Sequence, residues 1–241
     1  MKNKLSFALE KEGFSLTIEQ LDKFIMFSSL IKEWNTKINL TSLDEDDDII
    51  YKHFLDSLFC LKTGHDWQGK KIIDVGTGAG FPGIPLKIIL GDDIELTLFD
   101  SVQKKVNFLG IVVKELGLKG VKCIHGRAEE YGKMKDYREK YDIVLARAVA
   151  RLPLLLELCM PFVNLGGFFI AMKGPEGTKE LDESEYALNQ LGGKYNNINK
   201  FFLKDQDYTR VLISFGKNKL TPGKYPRKAG VPQKKPLLKD N

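Results

Sequence analysis

The 241 residues carry 43% apolar and 29% charged side chains and a formal charge of +5, a balance that suits one sizeable α/β core with a small appendage and excludes a disordered chain. No apolar run reaches the roughly 18 to 20 residues of a membrane span, and the charge-broken N-terminus lacks a signal-peptide core, so a cytoplasmic protein without membrane contact is expected. Cys60, Cys123 and Cys159 lie too far apart for a metal knuckle or a redox pair, and Cys123 with His125 offers only two ligands on one strand, so no metal is expected.

Residues 1–62 read as a helical N-terminal extension. Thr17 and Gln20 have the spacing of a capping box, and Phe27, Leu30, Ile31 and Trp34 then mark one buried helical face. A second helix is expected from Asp47 to Leu61, with the acidic run DEDDD near its start, where the helix dipole favours negative charge. His53, Asp56 and Ser57 fall within one turn of it. No GxSxG elbow accompanies them, so they read as a polar cluster bordering a pocket and not as a triad.

From Lys71 the pattern changes. KIIDV, IELTLF, VKCIH, YDIVLA and FFIAMK are β-rich runs separated by helical stretches such as QKKVNFLGIVVKEL, which Gly117 ends. This alternation predicts, for residues 63–216, a doubly wound, mostly parallel sheet with its ligand site at the carboxyl ends of the strands. KYNNINKFF and RVLISF, with no long helix between them, are expected to pair as a late antiparallel hairpin. Residues 217–241 hold eight Lys or Arg, one Asp and four of the nine prolines, a net +7 that leaves −2 on the other 216 residues. That composition suggests an extended arm able to follow a polyanion, the alternative being a disordered terminus.

The first strand runs into IIDVGTGAGFPGIP, residues 72–85, whose glycines let a ligand approach the main chain without meeting a Cβ. GxGxxG occurs at Gly78, Gly80 and Gly83. In the register set by the strand end at Gly76, however, Phe81 stands where a dinucleotide site needs glycine. GxxxxGK[ST] is absent as well, so the loop suits a nucleoside ligand without phosphates. Asp74-Val75-Gly76-Thr77-Gly78-Ala79-Gly80 resembles the acidic-x-GxGxG motif of class I methyltransferases, which bind S-adenosylmethionine. Asp100, closing the second strand, is placed to accept both ribose hydroxyls; the alternative is a helix cap.

The resemblance then narrows. WNTKINLT at 34–41, HFLDSL at 53–58, DVGTGAGFPGIPLKI at 74–88, LFDSVQKKVNFL at 98–109, GRAEE at 126–130, ARAVARL at 146–152, AMKG at 171–174 and YPRKAGVPQKKPL at 225–237 together resemble the bacterial 16S ribosomal RNA guanine-N7 methyltransferases, the glucose-inhibited division protein B family. The resemblance implies a class I, Rossmann-like fold, S-adenosylmethionine as cofactor, and 16S RNA or the small ribosomal subunit as partner of a monomeric enzyme. It implies that Asp74, Gly76, Gly78 and Phe81 border the cofactor, that Ala128 and Glu129 meet its adenine, and that Arg147 contacts it. Glu129 as a surface residue at a helix start is the alternative. N7 of guanine has a free lone pair, so no general base is expected; Arg147 and Lys173 would orient substrate, and His53, Lys173, Arg227 and Lys228 would touch RNA. A ribose 2′-O-methyltransferase and a cofactor-binding assembly factor without turnover are the alternative functions.

Overall fold

Thr17 opens the longest helix by the expected reciprocal cap. Its Oγ1 accepts from the Gln20 amide at 3.1 Å, and Gln20 Oε1 accepts from the Thr17 amide at 2.9 Å. In the computed structural model, which describes residues 1–147, 149–203 and 208–239, this helix spans Ile18–Ile38, follows Lys2–Lys11, and stops at Asn39 in the left-handed region. Phe27 and Ile31 are fully buried, and Leu30 and Trp34 pack partly against the same core. The second helix changes pitch as it goes: a π-helical stretch Asp48–Leu55, a short α-turn Asp56–Leu58 and a 3₁₀ end Phe59–Thr63. Single-sequence periodicity carries no signal for that widening.

Among the described residues the sheet has seven strands: β1 (Lys71–Val75), β2 (Glu95–Asp100), β3 (Val121–His125), β4 (Tyr141–Arg147), β5 (Val163–Lys173), β6 (Gly193–Leu203) and β7 (Tyr208–Lys217), in the spatial order β3-β2-β1-β4-β5-β7-β6. The first five are parallel. β7 inserts antiparallel between β5 and β6, so the late hairpin forms as expected and its second arm lies inside the sheet. Strand order reverses between β1 and β4, which opens a crevice at their carboxyl ends.

Side chains alternate between two cores. Ile72, Leu96, Leu98, Ile143, Leu145, Ile170 and Met172 share a cluster with Phe24, Phe27, Phe54 and other residues of the N-terminal segment. Ile73, Val75, Phe99, Val144, Ala146, Phe169 and Ala171 meet the helix Leu152–Cys159 on the opposite face. Residues 1–62 therefore pack on one face of the sheet, together with the helices Gly83–Leu90 and Gln103–Glu115. Gln20 Nε2 reinforces the joint by donating to the carbonyls of Ile88 and Ile89, at 3.3 and 3.0 Å, at the end of the helix Gly83–Leu90. Among the described residues, no helix is long and apolar enough to cross a membrane.

The expectation of an extended C-terminal arm needs correction. β7 runs one residue past the expected boundary to Lys217, which is buried and donates to the Met160 carbonyl at 2.7 Å. Beyond it Thr221, Tyr225 and Leu237 are buried. Arg138 donates to the carbonyls of Thr221 and Tyr225 at 2.5 and 2.8 Å, and Arg227 pairs with the fully buried Glu157, Nη2 to Oε2 at 2.6 Å. The segment is a strap bonded to the body through carbonyls that accept from Arg138 and through amides such as those of Thr221 and Arg227, and its prolines and lysines are compatible with that packing.

Candidate functional site

β1 delivers the chain into the crevice at Gly76. Gly76 and Gly78 have φ of +71° and +61°, and a Cβ on Gly76 would fall 2.7 Å from Val149 Cγ2. A Cβ on Gly80 would lie 2.6 Å from Ile84 Cγ1 and 3.4 Å from the Phe27 ring. The turn is thus bare main chain on its cleft side and tightly packed beneath. Asp74 braces it from inside: Oδ2 accepts from Thr77 Oγ1 at 2.7 Å and the Gly83 amide at 2.8 Å, while Oδ1 has no hydrogen-bond partner among the described residues. Burial pushes the Asp74 carboxyl up to about 6 against those two hydrogen bonds. Asp74 does not line the cleft.

Asp100 accepts from two amides, Gly78 at Oδ2 and Val102 at Oδ1, both at 2.9 Å. It ties the glycine turn to the entry of the helix Gln103–Glu115, whose N-cap position is Val102, and it faces the cleft.

Two adjoining cavities follow from this geometry. One, of about 450 Å³, is lined by His53, Gly76, Gly78, Phe81, Asp100 and Arg147, together with Thr41, Lys105 and Val149. The other, of about 120 Å³, is lined by Val75, Phe99, Ala128, Glu129 and Leu158. They share Gly76, Ser101 and Val149. Ala128 begins the short helix Ala128–Tyr131 after β3, and Glu129 Oε1 accepts from the Gly230 amide of the strap at 3.4 Å.

The wall opposite the glycines is a polar network buried between the N-terminal segment, β4 and β7. Asp56, fully buried, accepts from Arg147 Nη1 at 3.1 Å and from Arg210 at 2.5 and 2.9 Å. Arg147 also donates to the Lys52 carbonyl at 2.9 Å and lies 4.9 Å over the Phe81 ring. His53 stacks on the same ring, 4.5 Å from Phe81. Burial, and then the Arg147 charge, hold the His53 imidazolium down to about 3. The ring is therefore neutral, with Nδ1 accepting from Arg147 Nη2 at 3.1 Å and Nε2 facing the Leu43 carbonyl at 3.2 Å.

The cavities bring together His53, Gly76, Gly78, Phe81, Asp100, Ala128, Glu129 and Arg147. They do not include Lys173, whose Nζ donates to the Ala150 carbonyl at 2.8 Å and pairs with Glu180 at 2.9 Å. Arg227 is committed to Glu157, and Lys228 is exposed on the strap away from both cavities. Sequence reasoning missed Thr41, Lys105 and Val149 as lining, and Asp56 and Arg210 as supports for Arg147. Thr41, Asp56 and Val149 do lie in segments with family character, whereas Arg210 has no local signature because its role depends on β7 entering the sheet beside β5.

Comparison with known proteins gives the same answer along nearly the whole chain. The family model for GidB, rRNA small subunit methyltransferase G, matches residues 20–209. The chain belongs to this family. It is 47% identical over 235 residues to ribosomal RNA small subunit methyltransferase G of Clostridium botulinum (strain Okra / Type B1), covering 98% of each chain. It is 50% identical over 225 residues to that of Acetivibrio thermocellus, covering 93% of this chain and 92% of the relative. In fold it is similar to a SAM dependent methyltransferase from Aquifex aeolicus, with TM-score 0.54 and 21% identity over 78% of this chain and 97% of that one. It is likewise similar to M. jannaschii TYW2 in complex with AdoMet, with TM-score 0.54 and 13% identity over 76% and 80% of the two chains. The class I methyltransferase fold, read from motif and alternation, is thus found in both the topology and the neighbours.

Proposed function

We propose that the protein transfers a methyl group from S-adenosylmethionine to N7 of a guanine in 16S ribosomal RNA. The family match over residues 20–209 carries this reading. The residues present fit the cofactor: the floor at Gly76 and Gly78 is main chain that a Cβ at Gly76 would obstruct, and Asp100 is a carboxylate beside it. The smaller cavity is a largely apolar slot with one carboxylate, Glu129, at its edge. Gly76 and Gly78 would hold the amino-acid end, Asp100 the ribose, and Ala128 with Glu129 the adenine. When bound, the cofactor supplies an electrophilic methyl group on a sulfonium sulfur.

The acceptor determines what the chain must do. N7 brings a lone pair and no proton to lose, so the residues have to orient the base and tolerate positive charge, and none needs to remove a proton. His53, held neutral, adds no further cation to the wall, and Arg147 is fixed over Phe81 by Asp56. Ribose 2′-O-transfer would need a base for the hydroxyl proton, and the candidate Lys173 has its ammonium bound to Ala150 and Glu180. Lys228 and other exposed lysines of the strap would contact RNA phosphates, in a monomer acting in the cytoplasm where ribosomal RNA is processed.

The test supplies methyl-labelled cofactor with deproteinised small-subunit RNA and with intact small subunits, then maps the product by digestion and mass spectrometry. One 7-methylguanosine in the RNA is expected. No incorporation into either substrate, or label on a ribose oxygen, overturns the reading.

A further inference from the structure

A third cavity, of about 460 Å³, opens behind Val149 between the helix Leu152–Cys159 and the strap. Pro153, Leu154, Leu158 and Pro236 form apolar walls, and Arg151 and Glu183 stand among its lining residues. It shares Glu129 and Leu158 with the smaller cofactor cavity, and Val149 is common to all three cavities. A base held here would be separated from the cofactor cleft by one exposed valine side chain.

An enzyme that alkylates N7 has to leave that atom uncovered, so it must grip guanine by the far edge: O6, N1–H and the N2 amino group. A carboxylate complements N1–H and N2–H, and a guanidinium complements O6. The carboxylates lining the three cavities are Asp100, Glu129 and Glu183. Asp100 is engaged by two amides, and Glu129 lies against the strap at the adenine end. Among the described residues, Glu183 is bound only to Arg151, in an ion pair of side chains 46% and 68% exposed. Such a pair contributes little to folding and is free to exchange partners. Adenine, with an amino group in place of O6 and no N1–H, would meet a donor with a donor and an acceptor with an acceptor.

We propose that this third cavity receives the acceptor guanine, turned out of its RNA strand, with Glu183 bound to N1–H and N2–H and Arg151 to O6, so that N7 points past Val149 to the cofactor. The inference rests on the methyltransferase reading above and adds the residues that choose the base. Its test uses RNA in which the acceptor guanosine is replaced by inosine, which lacks the N2 amino group and keeps N7. Wild-type protein should lose roughly 10- to 100-fold in kcat/KM on inosine. Glu183→Gln should be slower on guanosine and distinguish the two RNAs by less than about threefold, on the same scale. Leu154→Trp, which fills the cavity, should abolish transfer while cofactor affinity by calorimetry stays at the wild-type value. Full discrimination retained by Glu183→Gln, or wild-type transfer by Leu154→Trp, overturns the assignment while the methyltransferase reading stands. Absence of transfer by the wild type overturns both.

Discussion

At Asp100 a single carboxylate serves the turn and faces the cleft, and the two duties separate experimentally. Asp100→Ala removes the acceptor for the Gly78 and Val102 amides and the proposed partner of the ribose. Cofactor affinity should fall roughly 10- to 100-fold, the worth of a hydrogen bond to a charged group, together with a lower melting temperature. A role confined to capping lowers the melting temperature and leaves the calorimetric affinity unchanged. Asp74 makes a prediction of opposite character. Its folded pKa, raised to about 6 from an ordinary 3.8, means that the native state binds the proton more tightly. Its contribution to stability is therefore greatest below pH 4 and is lost as pH rises from about 4 to 6. Asp74→Asn should lack this term, so the variant should gain on the wild type by roughly 2 to 3 kcal/mol between pH 4 and 7 in urea titrations. A constant difference across that range refutes it. The acidic residue and the glycines were legible in DVGTGAG; the inward turn of the Asp74 carboxylate was not, because it depends on Thr77 and Gly83 closing around it.

At the scale of elements, the N-terminal helices and β7 meet through Asp56. Truncating it to Ala would leave the Arg147 and Arg210 guanidiniums buried without their counter-ion, which should cost about 3 to 5 kcal/mol in denaturant unfolding. Asp56→Asn, which keeps an acceptor, should cost less, and equal losses for the two variants would contradict a charge-based role. Local rules served well wherever an element was set by its own residues: the Thr17–Gln20 cap, the end of the helix Gln103–Glu115 before Gly117, and the hairpin of β6 and β7. They failed where partners are distant. The π-helical pitch of Asp48–Leu55 has no local signature, and the place of Arg210 beside Asp56 is set by a residue 154 positions away.

For the molecule as a whole, composition misjudged the strap. Lysines and prolines read alike in a free arm and in a segment whose carbonyls are bonded by Arg138 and whose arginine closes on Glu157. The proposed RNA contact therefore falls to its exposed lysines and not to Arg227, which is paired with Glu157. Replacing Lys219, Lys228 and Lys234 with Gln should lower the slope of log K against log salt by roughly 0.7 to 0.9 for each phosphate that the variant no longer neutralises, with unchanged melting temperature. An unchanged slope would remove the strap from RNA binding. Because the Phe27 ring packs 5.3 Å from the Phe81 ring and in van der Waals contact with the space above Gly80, the first helices and the cofactor loop are matched parts. A chimaera that exchanged either one with a distant methyltransferase would inherit a steric mismatch, and the two should travel together when such folds are recombined.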